Sequence, residues 1–348
     1  KIIDGKDKKH TPEAIPSILS EALAVSFDQH IGHNYVEQSD ERFDYYHRVE
    51  ERLKFDLQYF NRITKGGLPP KTLNVALAGT GVGKSLFMCH VASSVISEGK
   101  NVLYITLEMA EERIAERIDA NLLDVTIDDL YEMPKEIYDN KTSKMQNKTN
   151  GQLIIKEYPT ASAHAGHFKS LLDELALKKA FKPDLIFIDY LNICTSSRFK
   201  GGNINSYTMV KSIAEELRGL AVQYNVPIVS ATQTTRTGYL SSDVGLEDTS
   251  ESFGLPATAD FMFALISNDE LEELGQIKVK QLKNRYNDPA VNRAFIIGVD
   301  RSKMRLYDVE QSAQQIVDSN QESKEKIEQP SGPQESANVY DKFSDFKI

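Results

Sequence analysis

The chain has 348 residues, 40% of them apolar, with two cysteines and a formal net charge of −10. That size supports one large α/β core with appendages, and no apolar run approaches the length of a membrane span. Cys89 and Cys194 lie far apart in apolar segments, which excludes a disulfide framework and fits a reduced, cytoplasmic protein, while the acidic balance argues against a cation-coated duplex binder but leaves room for a local basic channel.

Residues 1–56 read as a linker region, and because the chain opens on Lys1 rather than a methionine a longer parent chain is expected. Ile15, Ile18, Leu19, Ala22 and Leu23 recur at helical spacing within 11–28, and Pro12 or Pro16 suits a first turn. This amphipathic helix either packs on the chain's own core or docks on a neighbouring subunit. The stretch from His30 to Asp56 is polar and aromatic.

Residues 57–310 alternate apolar strands with helical segments, the pattern of a mostly parallel sheet. Strands are expected at Leu73–Leu77, Asn101–Leu107, Asp184–Ile188, Pro227–Ala231, Phe261–Ile266 and Ile277–Lys283. A closing pair is expected at Ala294–Val299 and Met304–Val309.

The first strand runs into "AGTGVGKS", residues 78–85. Gly79, Gly81 and Gly83 leave room for successive backbone N–H groups to point at an anion, with Thr80 and Val82 between them. The helix that follows, through Leu86, turns its N-terminus to the same anion. Lys84 would reach the β- and γ-phosphates of ATP and the Ser85 hydroxyl would ligate Mg2+. The bland alternative is a glycine turn capping a core strand; Ala78 also stands where the strict pattern has glycine.

Ligand chemistry in such sheets collects at the carboxyl ends of strands. "LYITLEM" ends in Glu108, "DLIFIDY" in Asp189 and "VPIVSATQ" in Gln233. Asp189 after an apolar run is the magnesium carboxylate opposite Ser85, or else a helix cap. Glu108 either orients and deprotonates the attacking water or supplies charge to the N-terminus of the helix over Ala110–Ile118. The Gln233 amide either senses the γ-phosphate or satisfies backbone groups.

In "SSRFKGGNINS", residues 196–206, the basic and aromatic residues Arg198, Phe199 and Lys200 lie on a glycine-bearing loop without acids, as a single-strand channel uses; a solvated loop can look similar. His164 with His167, and His30 with His33, lack further ligands at metal spacing and read as structural or surface residues. Beyond Gln311 the composition is that of a disordered tail, within which Val339, Phe343 and Phe346 have the spacing of a short helix that folds on a partner.

"FNRITKGGLPPKTLNVALAGTGVGKS", "YITLEMAEERIAERI", "PDLIFIDYLNIC", "SATQTTR", "LPATADFMFAL" and "VKQLKNRYND", in this order, resemble the ATPase domain of replicative DNA helicases of the DnaB family over roughly residues 57–305. The resemblance implies a RecA-like P-loop NTPase core, preceded by a linker helix that docks on the next subunit. It implies a hexameric ring that hydrolyses ATP with Mg2+ and moves 5′ to 3′ along single-stranded DNA, with a primase and a helicase loader as partners. Lys84 and Ser85 match the phosphate loop, Glu108 the catalytic base, Asp189 the magnesium carboxylate and Gln233 the coupling glutamine. Lys283 and Arg285 match the basic pair that reaches a neighbour's γ-phosphate. Arg236 and the loop residues Ser250, Glu251 and Ser252 match DNA-contacting positions, although Ser250 stands where arginine is usual. The family's N-terminal collar domain is missing from this sequence, as expected of a truncated chain. Two rival readings share the core: a RecA-like strand-exchange ATPase, and an assembly module in which nucleotide only holds a ring together.

Overall fold

The computed structural model describes residues 34–47, 50–149, 151–199, 205–234, 245 and 254–310. The helix expected within 11–28 and the tail beyond Gln311 lie outside them. Two units are described separately, divided after Glu50. Among its described residues the first holds one helix, α1 (Ser39–His47), entered through a turn in which the Asn34 Oδ1 accepts the Val36 N–H at 3.2 Å.

The second unit begins with α2 (Gln58–Ile63) and β1 (Leu73–Ala78), and continues through α3 (Lys84–Ser97), β2 (Val102–Thr106), α4 (Glu111–Leu122), α5 (Ile127–Glu132), α6 (Lys135–Lys148) and β3 (Leu153–Glu157). Next come α7 (Ala165–Lys179), β4 (Leu185–Asp189), a 3-10 turn (Leu191–Ile193), α8 (Ser206–Tyr224) and β5 (Ile228–Gln233). The chain then forms α9 (Gly254–Thr258), β6 (Phe261–Ile266), α10 (Asp269–Glu273), β7 (Gln276–Asn284), β8 (Ala294–Asp300) and β9 (Arg305–Asp308).

The nine strands among the described residues join one sheet in the order β3-β2-β4-β5-β1-β6-β7-β8-β9. The six strands from β3 to β6 run parallel, and β7, β8 and β9 extend the sheet as an antiparallel meander. The expected strands are present, with β8 and β9 as the closing pair. β3 is an addition that the sequence reading does not anticipate.

Strands β1, β2 and β4 are buried along their whole length because helices cover both faces. Alternate residues serve opposite layers: Ala76, Tyr104 and Phe187 pack with α3, whereas Val75, Leu103 and Ile186 pack with α7 and α8. On the α3 side, the Phe60 ring meets Phe263 of β6 at 5.2 Å and Phe295 of β8 at 5.4 Å between centroids, both edge to face, tying α2 to the parallel and antiparallel parts of the sheet.

β1 lies between β5 and β6, so its neighbours are not its successors in the chain. This switch in strand order opens a crevice at the carboxyl ends of the parallel strands, where α/β sheets bind ligands.

Candidate active site

The loop from Ala78 to Ser85 stands in that crevice. Of its three glycines, Gly81 and Gly83 take φ of +81° and +133°, values that side chains rarely adopt, while Gly79 does not. Phe87 N–H donates to Gly83 O at 2.9 Å, which starts α3, and no side chain caps that helix N-terminus. Its first amides are therefore free of side-chain competition for an anion.

Lys84 is buried and folds back so that Nζ donates to Gly79 O at 3.2 Å and Ala78 O at 3.4 Å. Burial lowers its pKa, opposed by the charges of Glu108 and Asp189, which identifies these three as electrostatic neighbours. The ammonium also lies 5.9 Å from the Tyr190 ring centroid.

Asp189 ends β4 and is fully buried. Its Oδ2 accepts the Tyr104 hydroxyl at 2.9 Å, and its Oδ1 has no hydrogen-bond partner of normal geometry. Burial raises the Asp189 pKa, and the Tyr104 and Ser85 hydroxyls pull it back. An orphaned buried carboxylate oxygen beside a hydroxyl is a donor set that fits a hard divalent cation.

Glu108 is exposed just beyond β2. Its flanks are fixed: Leu107 N–H donates to Asp189 O at 2.8 Å, and Met109 N–H donates to Thr106 Oγ1 at 3.0 Å. In sheet register Thr106 pairs with Asp189, so the Glu108 carboxylate projects past the buried one. Gln233 ends β5 opposite Ala78 of β1 and donates through Nε2 to the Tyr190 hydroxyl at 3.2 Å. The structure thus brings together Lys84, Ser85, Glu108, Asp189 and Gln233.

Lys283 and Arg285 are elsewhere. Arg285 Nη1 donates to Asp260 Oδ1 at 2.7 Å, and Asp260 Oδ2 accepts the N–H of Leu73, the first residue of β1, at 3.0 Å. Leu73 and Ala78 bound β1, and the distance between them is about 17 Å at the rise of a strand. The pair therefore sits at the amino ends of the parallel strands, the opposite end from the phosphate loop of its own chain. Both side chains reach α9 backbone, Lys283 Nζ to Pro256 O at 2.5 Å and Arg285 Nη2 to Ala257 O at 3.4 Å, while Asn284 turns away to Ile63 O.

Arg198 is half-exposed but not free, as an acid-free loop would have left it. It pairs with Glu215 and Glu216 of α8. Glu216 also accepts the Ser196 hydroxyl and the Ser197 N–H, so it fixes the start of the loop. Phe199 is partly exposed. Lys200, Arg236, Ser250, Glu251 and Ser252 lie outside the described residues. His164 and His167 form the capping box of α7, the structural role expected of them.

Sequence reasoning missed Tyr104, Tyr190 and Arg301. Arg301, in the β8–β9 turn, donates to Gly81 O at 3.1 Å and Val82 O at 3.3 Å. The only local sign for Tyr104 is a phenol inside a buried strand, which needs a partner. Nothing near Arg301 in sequence marks it.

The family profile described as the DnaB-like helicase C terminal domain matches residues 53–302. The DnaB-like replicative helicase of Enterobacteria phage T4 is 45% identical over 313 residues, 88% of this chain and 66% of that protein, so the chain spans slightly under two thirds of that relative. Among solved structures, a DnaB-like replicative helicase studied with its primase interactions superposes with TM-score 0.66 at 16% identity, over 85% of this chain and 71% of that one. A second solved structure, an ATPase domain, superposes with TM-score 0.62 at 15% identity, over 87% of this chain and 100% of that one. At such identities these structures establish the fold.

Proposed function

This chain belongs to the DnaB-like helicase family, and from that membership we propose that it is the motor part of a ring-forming, ATP-dependent replicative DNA helicase, working in the cytoplasm. In this reading six copies form a ring, move 5′ to 3′ along single-stranded DNA and unwind the duplex ahead, in concert with a primase and a loader. Residues 1–56 link the subunits, 57–310 form the motor and 311–348 a tail. Among the described residues, no helix is long and apolar enough to cross a membrane.

The observation that carries the reading is the split between two half-sites. Lys84, Ser85, Glu108 and Asp189 converge at the carboxyl ends of the parallel strands, whereas Lys283 and Arg285 stand at their amino ends. ATP bound on one subunit then needs a neighbour's cations to complete its surroundings. On binding, Lys84 exchanges the carbonyls of Ala78 and Gly79 for phosphate oxygens, and the α3 amides face the same charge. Asp189 and Ser85 would hold Mg2+, which would supply positive charge against the negative charge that develops on the phosphates. Glu108 takes a proton from water as its oxygen bonds to the γ-phosphorus and the bridge to the β-phosphate breaks. Arg285 of the adjoining copy stabilises the transferred group. Gln233, hydrogen-bonded to Tyr190 and leading into 234–253, links this chemistry to DNA held by Arg198, Phe199, Lys200, Arg236, Ser250, Glu251 and Ser252.

ATP turnover with and without single-stranded DNA, followed by unwinding of a forked duplex, tests the proposal. DNA-stimulated turnover with unwinding is expected. Stimulated turnover with strand exchange alone would instead indicate a recombination filament, and nucleotide-dependent rings without turnover an assembly module.

A further inference from the structure

Asp260, between α9 and β6, is buried at the amino ends of the parallel strands, beside Arg285. It is tied to β1 twice: its N–H donates to Leu73 O at 2.9 Å and its Oδ2 accepts the Leu73 N–H at 3.0 Å. Two arginines share the remaining capacity of this carboxylate. Arg218 of α8 grips both oxygens, with Nε to Oδ2 at 3.1 Å, Nη2 to Oδ1 at 3.1 Å and a longer Nε contact to Oδ1 at 3.4 Å. Arg285 adds a single short bond to Oδ1 at 2.7 Å, and its side chain remains 46% exposed. Lys283 stands alongside; burial first, then the Arg285 and Arg218 charges, lower its pKa. A surface cleft of about 380 Å³ opens beside this group, with Arg218, Gly219, Ala257, Thr258 and Arg285 in its walls.

Removing the partner of a buried carboxylate is strongly destabilising. An arginine that alone neutralised Asp260 would therefore be held fast. Here the two-point grip of Arg218 keeps the carboxylate paired whether or not Arg285 stays, and repulsion from Arg218 and Lys283 favours departure. We propose that Asp260 and Arg218 are positioning residues for Arg285: Asp260 parks its guanidinium against α9, and Arg218 supplies the standing ion pair that lets Arg285 leave for the γ-phosphate of the adjoining subunit. This rests on the reading of Arg285 as acting across the subunit boundary.

The test measures steady-state ATP turnover of assembled rings of the full 348-residue chain. Arg218→Gln leaves Arg285 as the sole cation on Asp260, so kcat is expected to fall about tenfold to a hundredfold, the scale of one charge-assisted hydrogen bond, with KM for ATP held because the phosphate loop is untouched. Asp260→Asn on that background removes the trapping charge and is expected to restore kcat towards the parent. A merely structural role predicts the reverse, because the second substitution would add to the damage. Should Arg218→Gln fail to fold, Arg218→Lys, which keeps the charge without the fork, is expected to show a smaller loss relieved by the same Asp260→Asn. Parent-like kcat in the Arg218 variants, or a double variant no better than the single one, overturns the positioning role. Full activity of an assembled Arg285→Ala ring would instead overturn the reading on which it rests.

Discussion

The side-chain amide of Gln233 donates to the Tyr190 hydroxyl at 3.2 Å, joining the last residue of β5 to the residue that follows the buried Asp189. Under the proposed reading this bond would link the segment after Gln233 to the carboxylate assigned to Mg2+. Tyr190→Phe deletes only that hydroxyl. The ratio of DNA-stimulated to unstimulated ATP turnover is expected to fall about twofold to tenfold, the worth of one neutral hydrogen bond. A ratio equal to the parent's removes this bond from the coupling route.

Tyr104 and Asp189 are both fully buried, and the phenol is the one well-formed donor to that carboxylate among the described residues. Tyr104→Phe should lower stability by about 1–3 kcal/mol in nucleotide-free protein, since a buried acceptor loses its partner. Chemical denaturation with and without Mg2+ and ATP measures this. The deficit is expected to shrink when both are bound, because the ion then satisfies the carboxylate; an equal deficit in both conditions contradicts Asp189 as its ligand.

Glu108 is exposed and anchored only through its neighbours' backbone, so Glu108→Gln should preserve the loop and nucleotide binding. Hydrolysis should fall by about two to four orders of magnitude, the range of a lost general base. Lys84→Ala, by contrast, should weaken retention and turnover together. Undiminished hydrolysis by Glu108→Gln excludes it as the base.

If Arg198 contacts DNA as proposed, it must give up Glu215 and Glu216. Glu215→Gln is therefore expected to tighten single-strand binding, while Arg198→Ala should reduce the log-log salt slope by about 0.7, one phosphate contact. Binding isotherms across a salt series measure both; if neither slope nor affinity changes, the loop is not in the channel.

These contacts also mark the limit of what the sequence discloses. Fully buried strands such as Val102–Thr106 are legible because both faces must be apolar. Leu153–Glu157, at the sheet edge, is only partly buried, ends in Lys156 and Glu157, and so resembles its polar surroundings. Lys84 and Ser85 announce themselves in a glycine loop between a strand and a helix, and Asp189 and Glu108 at strand ends in short motifs. Asp260 and Arg218 do not: one precedes an ordinary apolar strand and the other lies on a helix, and only the fold brings them to the same carboxylate contact. The placement of β1 between β5 and β6 is likewise a product of the crossovers and leaves no local trace.

The central claim is a site shared between subunits, with the phosphate loop at the carboxyl ends of the parallel strands and Arg285 at their amino ends. The most direct measurement is ATP turnover after mixing Lys84→Ala chains with Arg285→Ala chains in varied proportion. Each variant alone is expected to be inactive as an assembled ring, and mixtures to regain activity at interfaces where an intact loop meets an intact arginine, with a maximum at intermediate proportions. Full activity of the Arg285→Ala ring by itself, or mixtures no more active than the sum of their parts, would contradict it.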